Sequence, residues 1–394
     1  MCDAIQGVVY PAIRPSDIHA HQLPIPPLPE QHRIVAAIES HLSRLDAAVA
    51  ALERVNRNLA RYRASVLHAA VTGRLVPTEA ELARAEGREY EPASALLARI
   101  LVERRQRWEE VELAKMTAAG KVPKDDRWKA KYKEPVAAET EGLGELPEGW
   151  AWASVEQLAS DQPRSIQSGP FGSALLHSEF QSTGKLVIGI DNVMDGHFTI
   201  GTEHRISDRK FDQLARFQAR PLDLAVTVMA TIGRCCIIPE SIEPSIITKH
   251  VYRVTLNRTI AEPTYVMEVM RSPFGRQMLL TESKGQTRPG LNGSIIKAMP
   301  IPLSPLPEQR RIVAEVDRRL SVLGAVATVL DTNFARLSRL RQAIFRTAFE
   351  GRLVDQDPND EPASALLERI RAERATDASV PRRRRRGARQ EQLL

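Results

Sequence analysis

From residue 31 onward, apolar positions recur in steps of four and three: Ile34, Ile38, Leu42, Leu45, Val49, Leu52, Leu59. The same rhythm returns at Ile312, Val316, Leu320, Leu323, Ala327, Leu330, Phe334 and Leu337. This spacing predicts two long helices, each with one narrow apolar strip of the coiled-coil kind. Each follows a proline-rich stretch, Pro24-Ile25-Pro26-Pro27 or Pro300-Ile301-Pro302, where missing amide donors disfavour helix. Pro29 and Pro307 then fall where a first helical turn tolerates proline, and Glu30 and Glu308 put negative charge at the positive end of the helix dipole. Gly73 and Gly351, each followed by arginine, stand where C-terminal caps are expected. A continuous helix over 31–67 would be about 55 Å long, more than a compact domain needs and enough to act as a spacer.

Between the helices the period shortens. Runs of β-branched residues bounded by turn signals predict strands over 186–190, 198–202, 224–230, 235–238 and 250–256, and Pro263 to Arg271 reads as a helix opening on proline. Residues 105–140 are charge-rich and apolar-poor, which predicts a linker or solvated arm; Trp108, Trp128 and Trp150 punctuate this region and would tack it onto a neighbour.

The two helical stretches are copies of each other. LPEQHRIVAAIESHLSRL at 28–45 returns as LPEQRRIVAEVDRRLSVL at 306–323, and over 7–76 and 285–354 about 28 of 70 aligned positions are identical, without a gap. EPASALLARILVER at 91–104 returns as EPASALLERIRAER at 361–374. One non-repeated stretch, about 141–283, lies between the copies. A strip this narrow must be covered, and the repeat offers its own partner; two helices in separate small bundles remain the alternative.

A chain of 394 residues has room for two or three domains, and 43% hydrophobic with 26% charged residues suits a soluble protein. No uninterrupted apolar run approaches the eighteen or so residues of a membrane span, and residues 1–22 lack a signal-peptide pattern, so a cytoplasmic, non-membrane protein is expected. Net charge is +6, but Arg382 to Arg386 with Arg389 account for as much, so charge argues only weakly for nucleic acid. Three cysteines make no disulfide framework, and adjacent Cys235 and Cys236 read as buried fillers. Neither an Asn/Asp-Pro-Pro-Tyr/Phe tetrapeptide nor a GxxxxGK[ST] loop occurs. Asp223, Glu240, Glu243, Lys249, Glu282 and Lys284 could be assembled into an acidic-plus-lysine nuclease cluster, a set that scattered polar residues often supply by chance.

In this order, PLPEQRRIV with its helix, GRLV, LPEGWAWASVEQL, SGPFGS (168–173), ATIGR (230–234) and KGQTRPGLNGSIIKAMPIPLSPLPEQ (284–309) make the chain resemble specificity subunits of type I restriction-modification systems over nearly its whole length. The resemblance implies an α+β chain: one mixed α/β target recognition domain plus two long conserved helices packed as an antiparallel coiled coil. It implies a tail of a first recognition domain at 1–27, a first conserved helical region at 28–119, a charged linker at 120–145, the recognition domain at 146–305, a second helical region at 306–376 and a basic tail at 377–394. Residues 6–22 align with 284–300, so most of a first recognition domain is expected to be missing, by truncation, gene splitting or pairing of half-subunits. Leu222-Asp223 departs from the Gly-Asp common in the family.

By the same resemblance the chain is non-catalytic. It reads half of a bipartite duplex-DNA site, docks methyltransferase subunits through its helices, and joins a motor-nuclease subunit; S-adenosylmethionine, ATP and magnesium belong to those partners. Half-sites about one helical turn apart, roughly 34–36 Å, call for a rigid separator. Candidate DNA-contacting residues are the small-residue loop Ser168, Gly169, Phe171, Gly172 and Ser173, whose alternative role is a tight turn anchored by Phe171. The polar loop Lys284, Gln286, Thr287, Arg288 and Asn292 carries side chains that reach phosphates and base edges, and Lys185, Asn192, Lys249 and His250 follow as secondary candidates. The competing readings are a non-catalytic remnant or coiled-coil interaction protein without sequence preference, and an autonomous nuclease.

Overall fold

The computed structural model describes residues 14–121, 123–201, 203–283 and 290–379. The chain divides into two compact units, one of residues 1–57 and 326–394 and the other of 58–325.

The first unit is helical: α1 (Pro15–Ala20), the start of α2 (Leu28–Val71), the end of α10 (Leu306–Phe349) and α11 (Ala363–Ser379). The first turn of α2 closes when the Gln31 amide donates to the Pro27 carbonyl at 2.9 Å. Here α2 and α10 run antiparallel. Arg341 pairs with Asp46, and Arg33 meets Asp360, beyond the end of α10, at 2.6 Å.

The second unit contains the end of α2, α3 (Glu79–Glu86), α4 (Ala93–Ala118) and the start of α10, with a β-rich body between them. That body holds β1 (Ala151–Ser154), α5 (Val155–Leu158), β2 (Ile166–Ser168), β3 (Lys185–Ile188), β4 (His204–Ile206), α6 (Asp208–Gln213), β5 (Gln218–Ala219), β6 (Leu224–Thr227), β7 (Cys235–Ile237), β8 (Ser245–Ile247), β9 (Val251–Val254), α7 (Pro263–Arg271), α8 (Pro273–Ser283), α9 (Gly293–Ala298) and β10 (Pro300–Leu303). An antiparallel sheet runs β2-β9-β6-β7, a mixed sheet runs β4-β3-β8-β5 with β3 parallel to β8, and β1 pairs antiparallel with β10. Cys235 and Cys236 are buried in β7, where desolvation pushes the Cys236 thiol up to about 12.

The β-rich body is fastened to the helices at one buried carboxylate. Glu308, at the start of α10, is fully buried and accepts from Trp150 Nε1 at 2.9 Å and from the Glu79 amide at 2.8 Å. Next to it, buried Gln309 donates to the carbonyls of Ile260 and Ser304 at 2.9 and 2.8 Å and accepts from the Glu262 amide at 2.8 Å. Trp150 also lies against Gly73, which ends α2 with φ 67; a Cβ there would approach Pro147 to 2.5 Å. Glycine is required at that position twice over, for the left-handed turn and for the close approach. Gly351 has φ 66, and the Arg74 and Arg352 amides close both helix ends with 2.9 Å bonds to Ala69 and Thr347. The repeated sequence thus folds as a repeated structure.

Several expectations change. The charged stretch is helical as far as Ala118, because pairs such as Arg99–Glu103 and Arg105–Glu109, at 3.1 Å each, support a helix without a strong apolar face. Beyond it, Trp128 stacks on Trp108 with centroids 6.0 Å apart, as tacking by tryptophan predicts. No strand forms over the described part of 198–202; Phe198 makes one isolated bridge to Val193, because the Asn192 side chain and backbone bind this segment into a turn. The remaining strands are shorter than the apolar runs that predict them. Within α10 an 18-residue window reaches a mean hydropathy of 1.2, so by length and composition this helix could cross a membrane. Counting uninterrupted apolar runs misses it, since the average also credits the small residues between the valines and leucines.

Leu222 occupies a left-handed conformation, φ 64, in the turn before β6. Asp223 holds that turn by accepting from the Arg220 amide at 2.9 Å and from Thr255 Oγ1 at 2.6 Å. Side chains with a Cβ pay roughly 1–2 kcal/mol there. Leu222→Gly should therefore raise the urea midpoint by the equivalent of about 1 kcal/mol, with an unchanged m-value; a lowered midpoint would show that the Leu222 side chain contributes more than its backbone strain.

Candidate nucleic-acid interface

Four chain segments meet at one end of the β2-β9-β6-β7 sheet. β2 ends at Ser168, opposite Tyr252 of β9. At Gly169 a Cβ would stand 2.2 Å from the Ile247 carbonyl oxygen, so glycine alone lets the chain lie against the 247–248 backbone. The loop then turns outward through Gly172, with φ 61, and Gly172 and Ser173 are exposed. Phe171 is 64% exposed and anchors nothing; the close packing at Gly169 holds the turn instead.

Lys249 and His250 occupy the turn from β8 to β9, closed by the Val251 amide donating to the Thr248 carbonyl at 3.0 Å. The Val228 amide donates to the His250 carbonyl, and the Leu291 amide to the Val228 carbonyl, both at 3.0 Å. These bonds bring the start of α9 to the same end. There Asn292 is exposed, and its side-chain oxygen caps α9 by accepting from the Ile295 amide at 3.0 Å. Ser168, Gly169, Phe171, Gly172, Ser173, Lys249, His250 and Asn292 are therefore drawn to one face.

Lys185 and Asn192 are not part of that cluster. The parallel register sets Leu186 opposite Ser245, which puts Lys185 at the far end of β8 from Lys249, and its ammonium lies 3.6 Å from Asp208. Asn192 is buried; its Oδ1 accepts from the Gly189 amide at 2.8 Å and its Nδ2 donates to the Thr199 carbonyl at 3.1 Å, so both ends of the amide serve the turn. Lys284, Gln286, Thr287 and Arg288 lie outside the described residues.

The 228–234 turn also reaches this end, with Met229 and Ala230 exposed and φ 61 at Ala230. Sequence reasoning used Ile232-Gly233 as punctuation between strands and ATIGR (230–234) as part of the resemblance, without placing this turn at the interface. The glycine itself, whose φ is 77, was the available signal that the chain doubles back there. Among the described members of the acidic-plus-lysine set, Asp223 and Glu243 are engaged separately: Asp223 is buried against Arg253 and Thr255, whereas Glu243 pairs bidentately with Arg205 at 2.9 and 2.7 Å. Chemically, the face offers an exposed glycine-serine turn, the exposed Lys249, which has no ion pair among the described residues, and small polar side chains, a set suited to holding phosphate oxygens.

No protein-family model matches the chain. It is 27% identical over 361 residues to the type I restriction enzyme EcoBI specificity subunit of Escherichia coli, covering 90% of this chain and 64% of that subunit. It is 24% identical over 388 residues to the EcoDI specificity subunit of Escherichia coli, covering 94% of this chain and 72% of that one. Over most of its length the chain is similar to type I specificity subunits. A solved chain from work on complex assembly and conformational transition of the type I R-M system shares this chain's fold with a TM-score of 0.53, at 21% identity, over 88% of this chain and 65% of that one. The chain spans 64% of the length of the EcoBI specificity subunit.

Half-burial, and secondarily the neighbouring Lys249, lower the pKa of His250 from 6.5. Because the folded value is depressed, unfolding favours protonation, and the stability contribution present above 6.5 is lost as pH falls through the folded value. An NMR titration of the free chain should give a His250 midpoint below 6.5. A midpoint above that value would mean an anionic neighbour dominates the site.

Proposed function

We propose that this chain is the DNA-recognition subunit of a type I restriction-modification complex, has no catalytic activity of its own, and works in the cytoplasm. The β-rich stretch 146–305 reads one half of a bipartite duplex site. The helical regions 28–119 and 306–376 dock methyltransferase subunits and set the unread spacing, and a motor-nuclease subunit joins for cleavage. S-adenosylmethionine, ATP and magnesium would be used on those partners. The observation that carries this reading is the convergence of the 168–173 loop, Lys249, His250 and Asn292 at one sheet end, in a chain akin to specificity subunits.

In this reading the backbone amides and Lys249 hold phosphates, while the polar loop with Lys284, Gln286, Thr287 and Arg288 supplies base-edge contacts. The weakly basic composition fits a reader whose affinity depends on a few placed contacts and not on bulk charge. The chain alone should methylate nothing. With the modification subunit and S-adenosylmethionine it should direct methylation to one defined sequence. Lys249→Ala should weaken duplex binding to a similar degree on target and non-target sequences and reduce the slope of log K against log salt by about 1. An unchanged slope would remove Lys249 from the phosphate-contacting set, and binding without any sequence preference would overturn the recognition role.

A further inference from the structure

Phe171 presents a phenyl ring to solvent, 64% exposed, in the middle of a polar face. The loop beneath it is held tightly without the ring. Gly169 lies against the 247–248 backbone, and its amide donates to the Val251 carbonyl at 3.4 Å. Pro170 is buried and fixes its own φ. Beyond the ring, the Ala174 amide donates to the Phe171 carbonyl at 3.3 Å, and Gly172 takes up the left-handed turn. Gly169 and Pro170 anchor the loop, and the ring remains available to something outside the chain.

Its surroundings indicate what that is. β9 lies between β2 and β6, so the loop carrying Phe171 and the turn carrying Met229 stand on either side of Lys249 and His250. The spacing of neighbouring strands puts them roughly 10 Å apart. Met229 is 39% exposed and adds a second large apolar side chain. The segments 168–173, 228–234, 248–252 and 290–293 contain no aspartate or glutamate. Lys249 and Arg234 have no ion pair among the described residues. An exposed ring on a stiff loop, set among cations and away from carboxylates, is complementary to a polyanion that also offers flat apolar surface. Nucleic-acid bases offer it. Phe171 and Met229 together present far less than the roughly 800 Å² per side that a specific protein interface buries.

We propose that Phe171 is an apolar wedge that enters one base-pair step of the half-site and partly unstacks it, while Lys249 holds the neighbouring phosphates. The inference rests on the recognition role proposed above and states how part of the sequence is read. Opening a step costs energy that depends on the step, and pyrimidine–purine steps unstack most readily. The chain then selects a deformable step where Phe171 enters, without a hydrogen bond to either base, whereas polar side chains read other positions by base-edge contacts. Since the ring is already exposed and its loop already ordered, insertion buries phenyl surface with little rearrangement of the protein.

The test selects duplexes from a random-sequence pool with the full chain, then places 2-aminopurine at each purine position of the enriched sequence and follows its fluorescence on binding. Fluorescence should rise about twofold or more at one pyrimidine–purine step and stay nearly flat elsewhere. Phe171→Ala should abolish the rise and weaken binding to that sequence by about tenfold, whereas Phe171→Trp should keep both. Lys249→Ala should bind more weakly and still give the full rise at saturation, which separates the wedge from the phosphate contact. No rise at any position of an enriched sequence, or an equal rise with Phe171→Ala, overturns the wedge and leaves the recognition role standing. Affinity lost on replacing thymine by uracil, with no rise, also overturns it, by making Phe171 a thymine-methyl contact. A pool that enriches no sequence overturns the recognition role, and the wedge with it.

Discussion

The architecture of the second unit depends on one buried carboxylate. Glu308 sits at the start of α10 and joins three separate parts of the chain: its own helix, the amide that begins α3, and the indole that opens the β-rich body. Burial raises the pKa of this carboxyl, while the Glu79 amide, the Trp150 indole and Arg311 oppose the rise. Such a group is tolerated only when its oxygens are fully engaged. Here the engagement fixes where the body stands on the helix, and Gln309 fixes the same body through Ile260 and Glu262.

Arg311 extends the arrangement. It pairs with Glu79 at 2.7 Å, and Arg88 reaches the same carboxylate at 2.6 Å. On the proposed function the candidate face has to be held rigidly with respect to whatever defines its distance from other elements, and polar groups buried at a helix start achieve this with directional bonds that apolar packing lacks. The apolar part of the dock, from Val66 and Val71 to Ile312 and Val316, supplies area but little orientation.

Much of this was legible in the sequence where local rules act. The apolar strips, the prolines in the first turns and the glycines after α2 and α10 all act within a turn or two, and Pro263–Arg271 is helical as its proline start predicts. The helix through 105–118 was hidden because it has no strong apolar face and is supported by ion pairs. Phe198 and Ile200 suggested a strand that the Asn192 amide prevents. At the candidate interface, residue types were readable but their convergence was not. It is made by backbone bonds between distant segments, Leu291 to Val228 and Val228 to His250, which no periodicity announces. Lys185 and Lys249 look alike in sequence and stand at opposite ends of β8.

The same repeat that identifies the helices also explains why Glu308 and Glu30 differ: identical residues, one with an indole and one without. The claim that the indole–carboxylate bond fastens body to helix is tested most directly by a double-mutant cycle with Trp150→Phe and Glu308→Gln, read by urea unfolding. Direct coupling predicts an interaction energy of about 1–3 kcal/mol between the two sites. Additive effects within about 0.5 kcal/mol would contradict it.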